Sequence, residues 1–224
     1  HPIAQAPEAL ITKYAKLGFT GRMTAHAGAI DAMDSAIGRV LAAIKAEGMA
    51  RNTLVMFFCD NGSGGGGRGL RGSGPKGGAG YLALRGGKGS VLEGGIHVPA
   101  VLRWPGVIPA GATSMQLISD LDLFPTLTAA MGIPPKNPKP FDGINLWPGL
   151  RENKIVQRRP VVVAGQGEFA LLRDRWKLIW SPQQISLYDV IKDPTESRDV
   201  ILDHPIIAAE LAEALAPFKS PNRK

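Results

Sequence analysis

Thr53-Leu54-Val55-Met56-Phe57-Phe58-Cys59 is a run of apolar and β-branched residues that ends at Asp60-Asn61-Gly62. Its length and composition predict a strand buried on both faces of a parallel sheet. The preceding residues 23–48 predict an amphipathic helix that ends at Gly48, because apolar side chains recur at near-helical spacing at Ala27, Ile30, Met33, Ile37, Val40, Leu41 and Ile44. A helix followed closely by such a strand is the repeating unit of α/β folds.

A glycine-rich segment follows this strand and precedes a second apolar run, Val98–Trp104. Half of the 28 glycines in the chain lie between Gly62 and Gly89. Because apolar runs stand on both sides, we interpret the segment as a long functional loop within one domain, and not as a linker. Residues 121–131 predict a short helix with Pro125 near its start, where proline is tolerated.

From about residue 160, the apolar segments of the sequence become shorter. Four short apolar segments predict antiparallel strands separated by turns, at Val161–Val163, Phe169–Leu172, Trp176–Trp180 and Ser186–Tyr188. Residues 205–217 predict a final amphipathic helix. The sequence therefore predicts an α/β fold, with part of a mixed or parallel sheet flanked by helices and a small C-terminal antiparallel sheet with a helix. We place the α/β domain at residues 1–159 and the small α+β subdomain at residues 160–224.

Composition limits the class of protein. The 224 residues are 44% hydrophobic and 20% charged, which is typical of a globular chain and not of a disordered one. No apolar run approaches the roughly 20 residues that span a bilayer. The chain begins at His1 without a leader-like segment, so we expect any signal peptide to lie upstream. The net charge of +7 suits anionic ligands such as sulfate esters, polysaccharides, nucleic acid or membrane surfaces.

Asp60 and Asn61 stand where the predicted strand gives way to loop. In open α/β sheets, ligands bind at the carboxyl ends of strands. A carboxylate followed by a carboxamide offers two hard oxygen donors, which suit Ca²⁺ or Mg²⁺. The tripeptide Asp60-Asn61-Gly62 is also typical of a plain turn, in which the Asp60 side chain forms a hydrogen bond with the nearby backbone.

The glycine-rich loop is cationic. It carries no acidic residue between Asn61 and Leu92, while its cations are Arg68, Arg71, Lys76, Arg85 and Lys88. Cations interleaved with glycines can form an anion pocket, and a solvated basic loop has the same composition. Lys88 is the strongest candidate, because it has the only side chain in Gly86-Gly87-Lys88-Gly89. Its compact ammonium suits a tetrahedral oxyanion.

Three further residues carry reactive groups. His1 could donate a proton to a leaving alcohol, although a histidine at a chain end is more often a surface residue. His97 lies at a strand entrance, where a packed or surface role competes with one in the pocket. Cys59 is the only cysteine and lies inside the apolar run, so we interpret it as a core residue.

These motifs, in their order, resemble the sulfatases of the alkaline-phosphatase superfamily. His1–Pro7 resembles a histidine- and proline-containing stretch of that family, with the proline displaced by one place. The other matching stretches cover essentially the whole chain: Asp31, Asp34, Ile37-Gly38-Arg39, Asp60-Asn61-Gly62, Leu84–Gly89, Glu93-Gly94-Gly95, Val98-Pro99, Trp104-Pro105-Gly106, Asp122–Leu127, Gly132, Asp142-Gly143, Leu187-Tyr188-Asp189 and Asp193–Glu196.

The resemblance implies an alkaline-phosphatase-like fold and hydrolysis of sulfate esters. It implies that Asp60 and Asn61 are ligands of an active-site Ca²⁺, that Lys88 contacts the sulfate near the bridging oxygen, and that His1 assists the leaving group. It favours a periplasmic, secreted or lysosomal-type compartment. At His97 the family often has arginine.

The Cys/Ser-x-Pro-x-Arg motif from which sulfatases make their formylglycine nucleophile does not occur in these 224 residues. We therefore expect the nucleophile, two further metal-binding aspartates, and a lysine and a histidine to lie upstream, and this chain to be inactive without that segment. A phosphonate or phosphodiester hydrolase of the same superfamily is one alternative. A polyanion-binding module without turnover is another, although Tyr81 is the only aromatic residue in the basic loop that could stack on bases.

Overall fold

A computed structural model describes residues 5–62, 84–133 and 140–219. The chain forms two compact units. The first comprises residues 1–53 and 59–98, and the second comprises residues 54–58 and 99–224. The division predicted between residues 159 and 160 stays a prediction.

The first unit begins with a helical hairpin. Helix α1 spans Glu8–Lys16 and was not expected from the sequence, whereas helix α2 spans Arg22–Ala46 and confirms the predicted long helix. The expected burial of its apolar stripe is wrong for the described residues, since Ile30, Met33 and Val40 are 43–57% exposed. Helix α1 covers only the first turns of α2, where Thr24 and Gly28 are buried.

Close contact at Gly28 brings the two helices together. A Cβ at this position would lie 2.9 Å from the Cβ of Ala6 and 3.3 Å from that of Leu10, so only glycine allows this approach. On the surface of the hairpin, the Lys13 Nζ lies 2.6 Å from the Asp31 Oδ2. The hydrogen bond between them raises the pKa of Lys13 and lowers the pKa of Asp31.

A two-stranded antiparallel sheet opens the second unit. Strand β1 (Val55–Phe58) pairs with β2 (Ala100–Arg103), so that Val55 lies opposite Arg103. The predicted strand is confirmed, but its expected parallel pairing and burial on both faces are not found in the described residues. Its only strand neighbour there is β2, which leaves much of its surface uncovered, and Phe58 is 46% exposed.

Three short α-helices lie between strands in the described part of the chain. Helix α3 (Glu93–Ile96) belongs to the first unit, and helices α4 (Leu123–Ala130) and α5 (Trp147–Glu152) belong to the second. Helix α4 confirms the helix predicted at 121–131, with Pro125 in its first turn. The side chain of Thr126 joins α4 to the start of α5, because its hydroxyl accepts a hydrogen bond from the Leu146 amide at 3.0 Å.

The C-terminal sheet confirms the predicted antiparallel strands. It is a meander of four neighbouring strands: β3 (Val161–Gly165), β4 (Glu168–Arg173), β5 (Trp176–Trp180) and β6 (Ile185–Asp189). The β3–β4 turn places Gln166 at φ 52° and Gly167 at φ 79°, the two positive angles of a tight type I′ hairpin turn. Helix α6 (Pro205–Leu215) begins on the predicted proline and packs on this sheet.

Aliphatic side chains from the sheet and α6 form a hydrophobic core. Its fully buried members are Leu171, Leu178, Leu187, Ala208, Leu211 and Leu215. The same unit contains an ion pair whose two side chains have no exposed surface, in which the Lys177 Nζ is 2.8 Å from the Glu196 Oε1. Burial at this level requires close pairing, because an unpaired buried charge is strongly destabilising.

Candidate active site

Asp60 and Asn61 lie just after strand β1, as the sequence predicted, with Cys59 between the end of the strand and Asp60. Asp60 is exposed and Asn61 is half-buried. The Asn61 Nδ2 donates a hydrogen bond to the Gly62 carbonyl oxygen at 2.9 Å, so the carboxamide nitrogen faces the backbone. Within the described residues, neither the Asp60 carboxylate nor the Asn61 Oδ1 has a hydrogen-bonded partner. The two oxygen donors are therefore available to a ligand.

Lys88 lies in a tight turn between Gly87 and Ser90. The Ser90 amide donates to the Gly87 carbonyl oxygen at 3.0 Å, and the Ser90 hydroxyl donates to the same oxygen at 2.8 Å. Gly89, in the third position, has a φ of +90°, which is the angle that a type II turn requires of glycine. The turn presents the exposed Lys88 side chain at its tip, with no ion pair to a described residue.

Backbone contacts among glycines join the Asp60-Asn61 segment to helix α3. The Gly62 amide donates to the Gly95 carbonyl oxygen at 2.8 Å. A Cβ at Gly62 would lie 1.8 Å from the Gly94 carbonyl oxygen, well inside the sum of their radii. The backbone of Gly62 can approach α3 this closely only because Gly62 has no side chain.

The Lys88 turn lies against the other side of the same glycines. The Gly94 amide donates to the Arg85 carbonyl oxygen at 2.7 Å. A Cβ at Gly95 would lie 2.5 Å from the Gly87 carbonyl oxygen and 2.3 Å from that of Ser90. Asn61 therefore precedes Gly62, whose amide bonds Gly95, and Lys88 follows Gly87, whose carbonyl oxygen lies against Gly95.

A side-chain pair that the sequence did not predict anchors α3. The Glu93 carboxylate is buried, with 5% of the side chain exposed, and its Oε2 lies 2.8 Å from the Nδ1 of His97, whose side chain is 61% exposed. The available sequence signal was the spacing of four residues, which brings two side chains together on one helical turn. The two roles considered for His97, in the pocket or in packing, did not include this pair.

Only some of the remaining candidates lie among the described residues. His1, Arg68, Arg71 and Lys76 lie outside the described residues, as does Tyr81. Arg85 is exposed at the edge of the Lys88 turn. Cys59 is a free thiol of intermediate burial, so its assignment to a closed core is only partly met.

The chemistry of the donor set fits a hard divalent cation only in part. Asp60 and Asn61 contribute one carboxylate and one carboxamide oxygen, whereas Ca²⁺ takes about six to eight oxygen ligands. Among residues 5–62, 84–133 and 140–219, no cluster of three or more His, Cys, Asp or Glu side chains is placed to hold a metal. Among the described residues, these two oxygen groups are of the kind that a hard cation takes, and they do not by themselves make up a complete ligand set.

Family models match nearly the whole chain. The model described as "Sulfatase" matches residues 1–133, which include Asp60, Asn61 and Lys88. The chain belongs to the sulfatase family. A second model, described as "N-sulphoglucosamine sulphohydrolase, C-terminal", matches residues 87–219 and so continues the match through the C-terminal sheet and helix α6.

Curated sulfatases share moderate sequence identity with this sulfatase chain. Human arylsulfatase A is 43% identical over 168 residues, covering 72% of this chain and 31% of the relative. Steryl-sulfatase of Mus musculus is 39% identical over 143 residues, covering 62% and 22%. N-acetylgalactosamine-6-sulfatase of Sus scrofa is 33% identical over 147 residues, covering 65% and 27%. The chain thus spans between a fifth and a third of the length of these relatives.

Solved structures show the same fold. The crystal structure of Ps i-CgsB superposes with a TM-score of 0.82 at 27% identity, covering 100% of this chain and 48% of that one. The phosphonate monoester hydrolase of Agrobacterium radiobacter superposes with a TM-score of 0.63 at 22% identity, covering 97% and 50%, which is a likeness of fold alone. The predicted alkaline-phosphatase-like α/β fold is confirmed.

Among residues 5–62, 84–133 and 140–219, no helix is both long enough and apolar enough to cross a membrane.

Proposed function

We propose that this chain is the C-terminal part of a sulfuric ester hydrolase and supplies two metal ligands and a sulfate contact to its active site. Family membership supports the reaction class. The observation that carries the assignment to residues is the glycine contact, in which Gly62 bonds Gly95 while Gly95 also touches the Lys88 turn. This contact brings the backbone next to Asn61 and the backbone next to Lys88 against the same residue of α3.

Lys88 is the residue to which we assign the sulfate. Its ammonium would donate a hydrogen bond to the bridging ester oxygen, where negative charge develops as the S–O bond breaks. A donor placed where charge develops stabilises the transition state more than the bound substrate. The tight turn fixes the backbone of Lys88 before substrate arrives, so less ordering is needed at the moment of reaction.

His1 and the metal ligands complete our assignment. His1, outside the described residues, would donate a proton to the departing alcohol oxygen. Asp60 and Asn61 would hold a Ca²⁺, which when bound supplies charge neutralisation at the sulfuryl oxygens. We expect the formylglycine nucleophile and the remaining ligands to come from a segment upstream, joined to this chain or supplied separately.

Turnover of matched esters tests the reaction class. The protein that contains this chain together with its upstream segment should hydrolyse an aryl sulfate faster than the corresponding phosphate diester or phosphonate, and the 224-residue chain alone should be inactive. Faster hydrolysis of the phosphonate would favour the phosphonate hydrolase. Salt-sensitive polyanion binding without turnover, in protein shown to carry metal and formylglycine, would overturn the proposal.

Single substitutions test the residue assignments. Lys88→Ala should lower kcat by about 10²- to 10³-fold, as loss of one oxyanion donor does in other enzymes. Lys45→Ala is the matched control, since Lys45 is an exposed lysine of the same unit at the end of α2. Equal activities of the two variants would exclude Lys88 from the site.

Calcium affinity gives an independent readout of the metal ligands. Asp60→Asn should weaken Ca²⁺ binding at least about tenfold in calorimetry, because affinity depends on the charge and number of the oxygen ligands. Asp34→Asn, on the exposed part of α2, should leave the affinity unchanged. Unaltered binding by Asp60→Asn would remove Asp60 from the ligand set.

A further inference from the structure

Helix α3 is the shared support of the two parts of the candidate site. Its Gly95 carbonyl accepts from Gly62 at 2.8 Å, and its Gly94 amide donates to Arg85 at 2.7 Å. The Asp60-Asn61 segment and the Lys88 turn are therefore fastened to adjacent residues of one helical turn. A small rotation of that turn would change the distance between the ammonium and the oxygen donors.

Gly94 and Gly95 cannot hold α3 in place by themselves. They have no side chains, and glycine loses more conformational freedom on folding than any other residue. Besides the two backbone hydrogen bonds, the orientation of the turn therefore depends on the residues on either side of these glycines. Those residues are Glu93 and Ile96, followed by His97.

Glu93 and His97 close the turn through both backbone and side chains. The His97 amide donates to the Glu93 carbonyl oxygen at 2.8 Å, and the His97 Nδ1 lies 2.8 Å from the Glu93 Oε2. The Glu93 side chain points into the protein with 5% exposed, whereas 61% of the His97 side chain is exposed. A buried carboxylate in a hydrogen-bonded pair is rigid, because moving it would leave it desolvated without its partner.

We propose that Glu93 and His97 are positioning residues, which fix α3 and thereby set the placement of Lys88 relative to Asp60 and Asn61. This inference rests on the proposed function, since it concerns the same site. Neither side chain is assigned a contact with substrate. They act through the two backbone hydrogen bonds that α3 makes to the rest of the site, as outer-shell partners orient the ligands of metal sites.

Amide hydrogen exchange tests the structural half of this inference on the chain itself. His97→Ala should speed exchange of the Gly62 and Gly94 amides at least about tenfold, and by more than any accompanying fall in global stability accounts for, as expected for local opening. Because His97 is largely exposed, its truncation leaves no cavity. Lys13→Ala, which breaks the Lys13–Asp31 pair of the same unit, should leave both amides as they are.

Replacement of His97 by a different hydrogen-bond donor tests whether the bond to Glu93 causes the slow exchange. His97→Arg places a donor opposite the carboxylate and should restore slow exchange, whereas Glu93→Gln, which removes the carboxylate charge, should resemble His97→Ala. Unchanged exchange at Gly62 and Gly94 in both His97→Ala and Glu93→Gln would overturn the proposal, whether or not the protein is a sulfatase.

Leaving-group dependence tests the functional half in the active protein. If the pair positions Lys88, His97→Ala should lower kcat more than it raises KM, with a greater loss for alkyl sulfates than for esters of acidic phenols. Stabilisation of the departing oxygen matters most when the leaving group is poor. Lys88→Ala should show the same trend, and adding His97→Ala to it should cause little further loss.

These outcomes separate the two hypotheses. Absence of wild-type turnover on any sulfate ester would contradict the proposed function without affecting the exchange result. A normal wild-type rate together with an equal loss for all leaving groups in His97→Ala would contradict the positioning role alone.

Discussion

The loop around Lys88 and the C-terminal sheet are held together by different kinds of contact. Near Lys88, backbone meets backbone at Gly62, Gly94 and Gly95, with contacts that leave no space for a Cβ. In the C-terminal sheet, aliphatic side chains of β4, β5, β6 and α6 fill the interior. Near Lys88, an added atom should be destabilising, whereas in the C-terminal sheet the removal of atoms should be destabilising. Substitutions that are mild in one region should therefore be severe in the other.

Alanine at Gly62 should have the largest effect. Its Cβ would stand 1.8 Å from the Gly94 carbonyl oxygen and 2.9 Å from the Gly95 Cα, and backbone cannot give way as a side chain does. We expect loss of the Gly62–Gly95 hydrogen bond and loss of detectable sulfatase activity. Gly38→Ala is the matched control, because a Cβ there meets nothing within 4 Å, and it should stabilise α2 by about 0.5–1 kcal/mol. Equal activity of the two variants would contradict the contact.

Removal of one member of the buried ion pair should come next. Lys177→Met would leave the Glu196 carboxylate without its cation in a site with no exposed surface, and we expect the free energy of unfolding to fall by about 3–5 kcal/mol. Urea titration followed by tryptophan fluorescence measures it. Arg198→Ala, which breaks the exposed pair with Asp203, should change stability by no more than about 1 kcal/mol.

Truncation of the aliphatic core should follow. Leu211 is fully buried between α6 and the sheet, and Leu211→Ala should lower the free energy of unfolding by about 2–5 kcal/mol through lost burial and the cavity left behind. Leu202→Ala, at a position that is 91% exposed, is the control and should have little effect. Similar losses in both variants would mean that α6 does not carry the core.

Acid should have the smallest effect, through Asp193. Burial raises the pKa of this carboxyl, but hydrogen bonds from the Arg198 amide, Thr195 and Ser197 outweigh it, and the net pKa is lowered. A lowered folded pKa stabilises the protein above the unfolded value of about 3.9, and this contribution is lost as pH falls through the folded pKa. Asp193→Asn should be less stable than the wild type at pH 6, and the difference should shrink below about pH 4. A pH-independent difference would contradict the linkage.

The same contrast explains which parts of the fold could be predicted from the sequence. The strands of the C-terminal sheet and helix α6 were predicted because their burial leaves a periodic apolar pattern in the residues themselves. Helix α1 was missed although it has a helical apolar pattern, and none of its nine residues is buried. Helix α3, with only four residues and two glycines, has no periodicity to detect.

The candidate site was predictable in its residue types but not in its connections. Asp60, Asn61 and Lys88 could be chosen from the chemistry of their side chains and from family resemblance. The meeting of Gly62 with Gly95 depends on two backbone segments far apart in sequence, and a glycine suited to a turn looks the same as one suited to a close contact. The Glu93–His97 pair was missed for a related reason, since a spacing of four residues indicates a pair only where a helix is predicted, and α3 was not predicted.

The glycine contacts also limit how this segment can vary. Every amino-acid replacement of a glycine adds at least one carbon atom, so no missense change at the codons of Gly62, Gly94 or Gly95 avoids the neighbouring carbonyl oxygens. A saturation mutagenesis library should therefore lack functional members at these three positions, whereas Gly38 should accept many residues. At these three positions, the lack of room for one added carbon atom decides which substitutions are tolerated.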